Sequence, residues 1–239
     1  MKIVFSGSIA FDHLMTFPGH FRDYIMSDNL ESLSLSFLTD SKTVHRGGNA
    51  PNIAYNHVLL GGKASVLGTV GQDFHEYRTW LDNVGVDTNN IVEIKDEFTA
   101  SFYVTTDRNN AQIASFYPGA MTHSSQLKIS DLEFNPDLVV ISPDDPLAMK
   151  YRVKECQSIQ TPYVYDPSQQ IVRLENDDLY EGVMGAHMIV LNHYEFSLLK
   201  EKIDIDETSI ADKGIILVIT NERHGSLIWS GDDYFEIPS

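Results

Sequence analysis

An α/β fold with a mostly parallel central sheet and a small additional β-sheet is what this sequence predicts, on three observations. Short apolar runs at 3–5, 64–70, 138–141, 163–165, 188–191 and 215–220 have the length and β-branched content of buried strands. The later runs are separated by about two dozen residues of helical pattern, the spacing of parallel βαβ units. Polar clusters follow several runs, so one edge of the sheet collects Ser8, Asp12, Asp166, Gln169, Asn192, Glu195 and Thr220. That edge is where an open α/β sheet holds its ligand.

Residues 3–5 close with Ser6-Gly7-Ser8, a strand running into a loop. Asp12 follows, just past the end of this central strand. There it serves either as an acceptor for ligand hydroxyls or as an ordinary turn and capping residue. Residues 33–37, Leu-Ser-Leu-Ser-Phe, alternate with a period of two and predict a strand with one covered face. No convincing long helix lies between Asp12 and Thr43, so this segment suits an extra small sheet, used as a lid or for dimerisation. The stretch His45-Arg46-Gly47-Gly48-Asn49-Ala50-Pro51-Asn52 then turns from glycine-rich to helical. Ala50, Ile53, Ala54, His57, Val58 and Leu60 recur at helical spacing until Gly61-Gly62. Pro51 suits the first turn. Paired glycines let the backbone approach another group closely, and the free N–H groups at the helix start would face that group. The stretch is either an address for a polar small molecule or a tight strand-to-helix turn.

After the strand at 64–70, Phe74, Tyr77, Leu81 and Val84 mark a helix stopped by Gly85. Residues 99–105 and 112–117, joined by Asp107-Arg108-Asn109-Asn110, predict a hairpin. Phe102 and Phe116 sit on its two strands, where aromatics most often serve cross-strand packing. The remaining runs end at Pro143-Asp144-Asp145-Pro146, Asp166-Pro167-Ser168-Gln169-Gln170, Asn192-His193-Tyr194-Glu195 and Asn221-Glu222-Arg223-His224-Gly225, and a final strand is expected at 234–237. The adjacent pairs Asp144-Asp145, Asp177-Asp178 and Asp232-Asp233 read as solvated turns and not as an acid/base couple.

The 239 residues suffice for one large α/β domain, and no repeat or linker divides them. Seventeen basic against 34 acidic residues give a formal charge of −17, which repels nucleic acid and anionic membrane but leaves room for a local phosphate pocket. The single Cys156 excludes an internal disulfide and a cysteine-based metal site and suits a reducing compartment. With no membrane-length apolar run and a strand-like start, the expected location is cytoplasmic. Gly62-Lys63 lacks the rest of a Walker loop, no Gly-x-Gly-x-x-Gly follows the first strand, no Gly-x-Ser-x-Gly elbow occurs, and the nine histidines lack zinc spacing.

Gly47-Gly48-Asn49-Ala50-Pro51-Asn52, with Gly61 and Gly71 downstream, resembles the first signature of the ribokinase-like (PfkB) carbohydrate and nucleoside kinases. The runs at 45–48, 112–121 and 166–170 look most like bacterial adenosine kinases of the actinobacterial type. The resemblance spans nearly the whole chain. It implies an αβα sandwich whose small β lid, built from about 12–46 and 98–118, can also pair two subunits. It implies ATP- and Mg2+-dependent phosphorylation of the 5′-hydroxyl of adenosine to AMP. Carried over by position, Asp12 would hold the ribose hydroxyls with Gly47, Gly48 and Asn52 near the sugar. Phe102 and Phe116 would sandwich the adenine, Ser8, Gln170 and Arg173 would line the pocket, and Ser36 on the lid strand would reach a partner's site. Asn192 and Glu195 match an Asn-x-x-Glu element tied to magnesium and phosphate. Thr220 and Gly225 match part of a nucleotide-side motif, although Glu222 stands where many members have glycine.

Phosphoryl transfer is mostly positioning plus charge neutralisation, so a kinase needs a held hydroxyl, a magnesium site, an anion hole and a base. The family keeps the last two in a Gly-Ala-Gly-Asp-type segment, which nothing in this chain matches. The expectation is therefore a kinase domain that is incomplete at its C-terminal side, with the catalytic aspartate beyond Ser239. Two readings compete with it: a ribose-type sugar kinase on the same fold, and a non-catalytic nucleoside-binding homologue.

Overall fold

The computed structural model describes residues 1–25 and 34–239. A nine-stranded sheet forms the centre, in the order β13-β12-β11-β10-β9-β8-β1-β4-β5. Its strands are β1 (Ile3–Ser6), β4 (Ala64–Val70), β5 (Ile91–Glu93), β8 (Leu138–Ile141), β9 (Tyr163–Tyr165), β10 (Met188–Asn192), β11 (Ile216–Thr220), β12 (Ser226–Ser230) and β13 (Asp233–Ile237). All neighbours from β5 to β11 pair in parallel, and only β12 and β13 run antiparallel at the edge.

Alternation along the strands divides the core in two. Ile3 and Phe5 join Val66 and Val70 beneath the helices α1 (Asn49–Leu59) and α2 (His75–Val84), through Ala50, Ala54, Tyr77 and Leu81. Val4, Val139, Ile141, Ile189 and Leu217 point the other way, onto α3 (Pro146–Ser158), α4 (Asn176–Met184), α5 (His193–Ile203) and α6 (Glu207–Ala211). The result is an αβα sandwich. Among the described residues, no helix is long and apolar enough to cross a membrane.

Chain order reverses at β1. From it the chain proceeds to β4 and β5 on one side, then returns to build β8 through β11 on the other. The crevice beyond the carboxyl ends of β1 and β8 is therefore the topological switch point of the sheet.

A second, four-stranded sheet stands over this crevice in the order β3-β2-β6-β7: β2 (Ala10–Thr16), β3 (Ser41–Gly47), β6 (Ala100–Thr106) and β7 (Gln112–Tyr117). Its centre is a parallel β2·β6 pair flanked by antiparallel neighbours. Asp107 closes the β6–β7 turn: Oδ1 accepts from Asn109 and Ala111 N–H at 2.8 and 3.0 Å, and Oδ2 accepts from Phe21 N–H at 3.0 Å.

Two expectations fail here. Residues 34–39 form no strand, and Leu33 lies outside the described residues. Alternation needs a partner strand to act on, and Leu35, with its face exposed, has none among the described residues. Asp12 is not at the end of a central strand but inside β2. The acidic pairs also differ from solvated turns. Asp144 is 3% exposed, Asp145 caps α3 by accepting from Leu147 and Ala148 N–H at 3.0 and 3.3 Å, and Asp178 pairs with Lys150 at 2.8 Å. Only Asp232-Asp233, exposed where the β12–β13 turn leads into β13, fits the expectation.

Candidate functional site

A pocket of about 480 Å³ opens where the switch-point crevice meets the small sheet. Ser8, Asp12, Gly48, Asn52, Phe102, Phe116, Gln170 and Arg173 line it, so eight residues scattered from position 8 to 173 converge on one space. Gly47 lies directly behind Asp12, and Ser36 lies off any strand and away from the lining. Ala10, Asn49, Met121, Pro143 and Gln169 complete the wall. Met121 and Asn49 fall inside the runs that carry the family resemblance, but an isolated Met or Pro carries no polar signal to single it out.

The glycine turn fixes the sugar-side geometry. Gly48 has φ 92, and a Cβ there would stand 2.6 Å from Ile9 Cα and 2.7 Å from Ala10 N. No L side chain fits both constraints. A Cβ on Gly47 would collide with the Asp12 carboxylate. Both glycines are thus needed to bring β3 against β2 and hold the Asp12 side chain beside a bare backbone. Among the described residues no hydrogen bond reaches that carboxylate. Burial raises its pKa, with His45 and His13 pulling it back. It is an acceptor open to solvent or a ligand.

The start of α1 is not the open anion site that a bare helix end offers. Asn49 N–H donates to Ser8 Oγ at 3.3 Å, Ala50 N–H to Ser8 O at 3.3 Å, and Asn52 N–H to Gly48 O at 3.4 Å, while Pro51 has no N–H. The loop after β1 therefore caps the helix, and the expectation of free helix donors is overturned. Gly48 N–H, just outside the helix, has no acceptor among the described residues.

Phe102 and Phe116 are directly opposite in the β6·β7 register, so both rings rise from one face of the small sheet. Phe116 is 48% exposed. An aromatic held out at a pocket mouth adds little to the core. On the far wall, the 3-10 turn Ser168–Val172 brings Gln170 inward, where its Oε1 is buried with no partner among the described residues. An unpaired buried acceptor carries a desolvation cost that a ligand donor would relieve.

A buried polar layer backs this wall. Asp144, next to Pro143, is pushed up to about 7 by burial, while hydrogen bonds from Asp145 N–H and Ser124 Oγ and the nearby Arg152 charge work against the shift. Arg152 donates to Ser124 O at 3.0 Å and pairs with Glu155 at 2.8 Å. Further along the strand ends, Asp166 is raised to about 6, by burial first and then by the negative charge of Glu195, against a 2.6 Å hydrogen bond from Ser168 Oγ.

Asn192, Glu195, Thr220 and Gly225 lie at the ends of β10 and β11, outside the pocket lining. Each has a local use. Asn192 and Glu195 form the capping box of α5: Glu195 N–H donates to Asn192 Oδ1 and Asn192 N–H to Glu195 Oε2, both at 2.8 Å. Thr220 Oγ1 donates to Leu191 O at 3.4 Å. Gly225 has φ 87 and no room for a side chain against the Ile237 carbonyl. Glu222 has φ 46, the backbone glycine prefers, which explains physically why glycine suits this position. Among the described residues no three His, Cys, Asp or Glu side chains converge on one point. Asp166 and Glu195 are the carboxylates here whose charges act on one another, and a magnesium ion takes one or two carboxylates and completes its shell with phosphate oxygens and water.

Residues 20–239 match the model of the pfkB family carbohydrate kinases. The nucleoside kinase of Methanocaldococcus jannaschii is 26% identical over 221 residues, covering 90% of this chain and 72% of that protein. The nucleoside kinase of Methanothermobacter thermautotrophicus is 29% identical over 191 residues, covering 78% of this chain and 62% of that protein. The solved structure of Burkholderia thailandensis nucleoside kinase with inosine superposes with a TM-score of 0.85 at 33% identity, over 99% of this chain and 75% of that one. The same enzyme has also been solved in complex with ADP-inosine.

Proposed function

The chain belongs to the pfkB family of carbohydrate kinases, and from that premise we propose that its pocket takes a purine nucleoside. The reaction of the whole protein is then transfer of the γ-phosphoryl group of ATP to the nucleoside 5′-hydroxyl, with adenosine giving AMP. The observation that carries this reading is the Asp12 carboxylate, without a hydrogen-bond partner among the described residues, set beside a side-chain-free glycine turn and in one row with Phe102 and Phe116 on the same face of the small sheet, lining one cavity. A sugar needs the first feature and a base the second. That the similar Burkholderia enzyme was solved with inosine supports the same reading.

In this proposal Asp12 accepts hydrogen bonds from the ribose hydroxyls, with Gly48, Asn52 and Ser8 around the sugar. Phe102 and Phe116 take the base on their ring faces, and Gln170 and Arg173 close the far wall. Asn192, Glu195, Thr220 and Gly225 form the nucleotide side, where Asp166 and Glu195 would hold Mg2+ and the metal would neutralise phosphate charge. The small sheet acts as a lid, and its exposed edge strands β3 and β7 are the surfaces through which two copies would pair and bring Ser36 to a neighbour's pocket. Cys156, fully buried with its thiol pushed up to about 12 by burial, suits a cytoplasmic protein.

Calorimetric titration of the chain with adenosine, inosine and D-ribose tests the proposal on the pocket itself. Nucleosides are expected to bind about tenfold or more tighter than ribose, the contribution of base stacking. Ribose binding as tight as nucleoside binding would favour the sugar-kinase reading instead.

A further inference from the structure

Tyr77 takes no part in the pocket lining, yet its hydroxyl ends on the glycine turn that shapes the pocket. The side chain rises from α2, is 1% exposed, and donates to Gly47 O at 3.0 Å. Its ring is wedged between Phe11, Phe74 and Trp80, with centroids 5.7, 5.0 and 5.9 Å away. The Arg46 guanidinium covers the outer side of this cluster, 5.1 Å from the Trp80 ring. The hydroxyl therefore has one place to go.

What it holds is the peptide between Gly47 and Gly48. In a trans peptide the C=O and the following N–H point in opposite directions, so fixing Gly47 O at Tyr77 turns Gly48 N–H away from α2. That N–H has no acceptor among the described residues, and Gly48 lines the pocket. The Gly47 Cα lies against the Asp12 carboxylate, so the same peptide sets how close that carboxylate stands. Gly47 is the last paired residue of β3, opposite Ala10, so the ladder holds one side of this peptide and the Tyr77 hydroxyl adds the restraint from α2; with two consecutive glycines no side chain of their own opposes rotation beyond that point.

We propose that Tyr77 is a positioning residue: its hydroxyl locks the Gly47–Gly48 peptide so that Gly48 N–H and the Asp12 carboxylate together face a ligand hydroxyl. Substrate affinity then depends on a group that never touches the substrate. The inference rests on the nucleoside reading for the identity of the ligand, but not for the state of the peptide.

The test is Tyr77→Phe in the full chain, which removes only the hydroxyl and keeps the ring packing. Labelling glycine with nitrogen-15 gives a spectrum of 15 residues in which Gly48 can be assigned. In ligand-free Tyr77→Phe, the Gly48 resonance is expected to shift or broaden well beyond that of Gly214, which follows α6 and where an added side chain would meet open space. Inosine, 2′-deoxyinosine and 3′-deoxyinosine are then titrated into both proteins. Loss of the hydroxyl that Gly48 and Asp12 hold is expected to cost about tenfold in the unaltered chain and only about twofold in Tyr77→Phe. A structural role alone would lower affinity for all three ligands equally. An unchanged Gly48 resonance, or equal deoxy penalties in the two proteins, overturns the inference. Failure of the unaltered chain to bind any nucleoside defeats the functional proposal instead, while the glycine spectrum still decides whether Tyr77 holds the peptide.

Discussion

The two ends of the sheet edge use their polar residues in opposite ways. At the switch point, Asp12 has no hydrogen-bond partner among the described residues, Gln170 Oε1 is buried without one, and Phe116 stands half out of the protein. Along β10 and β11, Asn192 and Glu195 cap each other's backbone, Thr220 donates to a neighbouring strand, and Gly225 makes way for a carbonyl. The first region leaves polar groups without a protein partner, open to a ligand. The second is satisfied as it stands, so its motif spacing is explained by helix capping whether or not phosphate also binds there. A polar cluster at a strand end therefore argues for a ligand in proportion to what it leaves unpaired.

Substitutions that fall on one side of this contrast and spare the other sharpen it. The largest effect is expected from Gly48→Ala, which must accept φ 92 and a Cβ within 2.7 Å of backbone atoms. It should lose about 3 kcal/mol or more of stability in urea unfolding, together with nucleoside binding. Asp12→Asn separates the two properties. Losing charged acceptor strength should weaken nucleoside binding about ten- to a hundredfold by calorimetry, while the unfolding midpoint holds or rises, because this carboxylate has no hydrogen bond among the described residues to lose.

Asp144→Asn probes the wall between the two regions. The folded carboxyl titrates near 7 against an ordinary 3.8, so the folded state binds the proton more tightly than the unfolded state. The stability tied to that proton is full below about 4 and is lost as the pH rises through about 7. Unfolding midpoints should fall across this window in the unaltered protein and fall less in Asp144→Asn. Equal slopes would mean that Asp144 stays ionised. The smallest effect belongs to Glu195→Ala. Losing half of the capping box should cost about 1 kcal/mol and leave inosine affinity unchanged, so a weakened nucleoside pocket would break the contrast.

Most of the large sheet was legible because buried parallel strands write themselves as continuous apolar runs: 138–141 and 163–165 coincide with β8 and β9. The small sheet was only half legible. Its β6–β7 hairpin carries turn residues and β-branched strands, but in β2 Phe11 packs on Tyr77 while Asp12 faces the pocket, so neither face is cleanly polar. Residues 33–37 carried the cleaner alternation, and 34–37 form no strand, since period alone does not supply a neighbour to pair with. β12 was missed because a short antiparallel return after Gly225 breaks the βα rhythm. In the site, glycine spacing and the resemblance pointed to eight of the lining residues. The buried Asp144, the Tyr77 contact and the capping of α1 by Ser8 depend on distances between residues far apart in the chain, which no local pattern encodes.

Phe116→Ala titrated with inosine tests most directly whether the pocket's unspent surface is meant for a base. The ring is 48% exposed, so its removal should leave the unfolding midpoint unchanged while inosine affinity falls about tenfold. Unchanged inosine affinity in a folded Phe116→Ala protein would contradict the account.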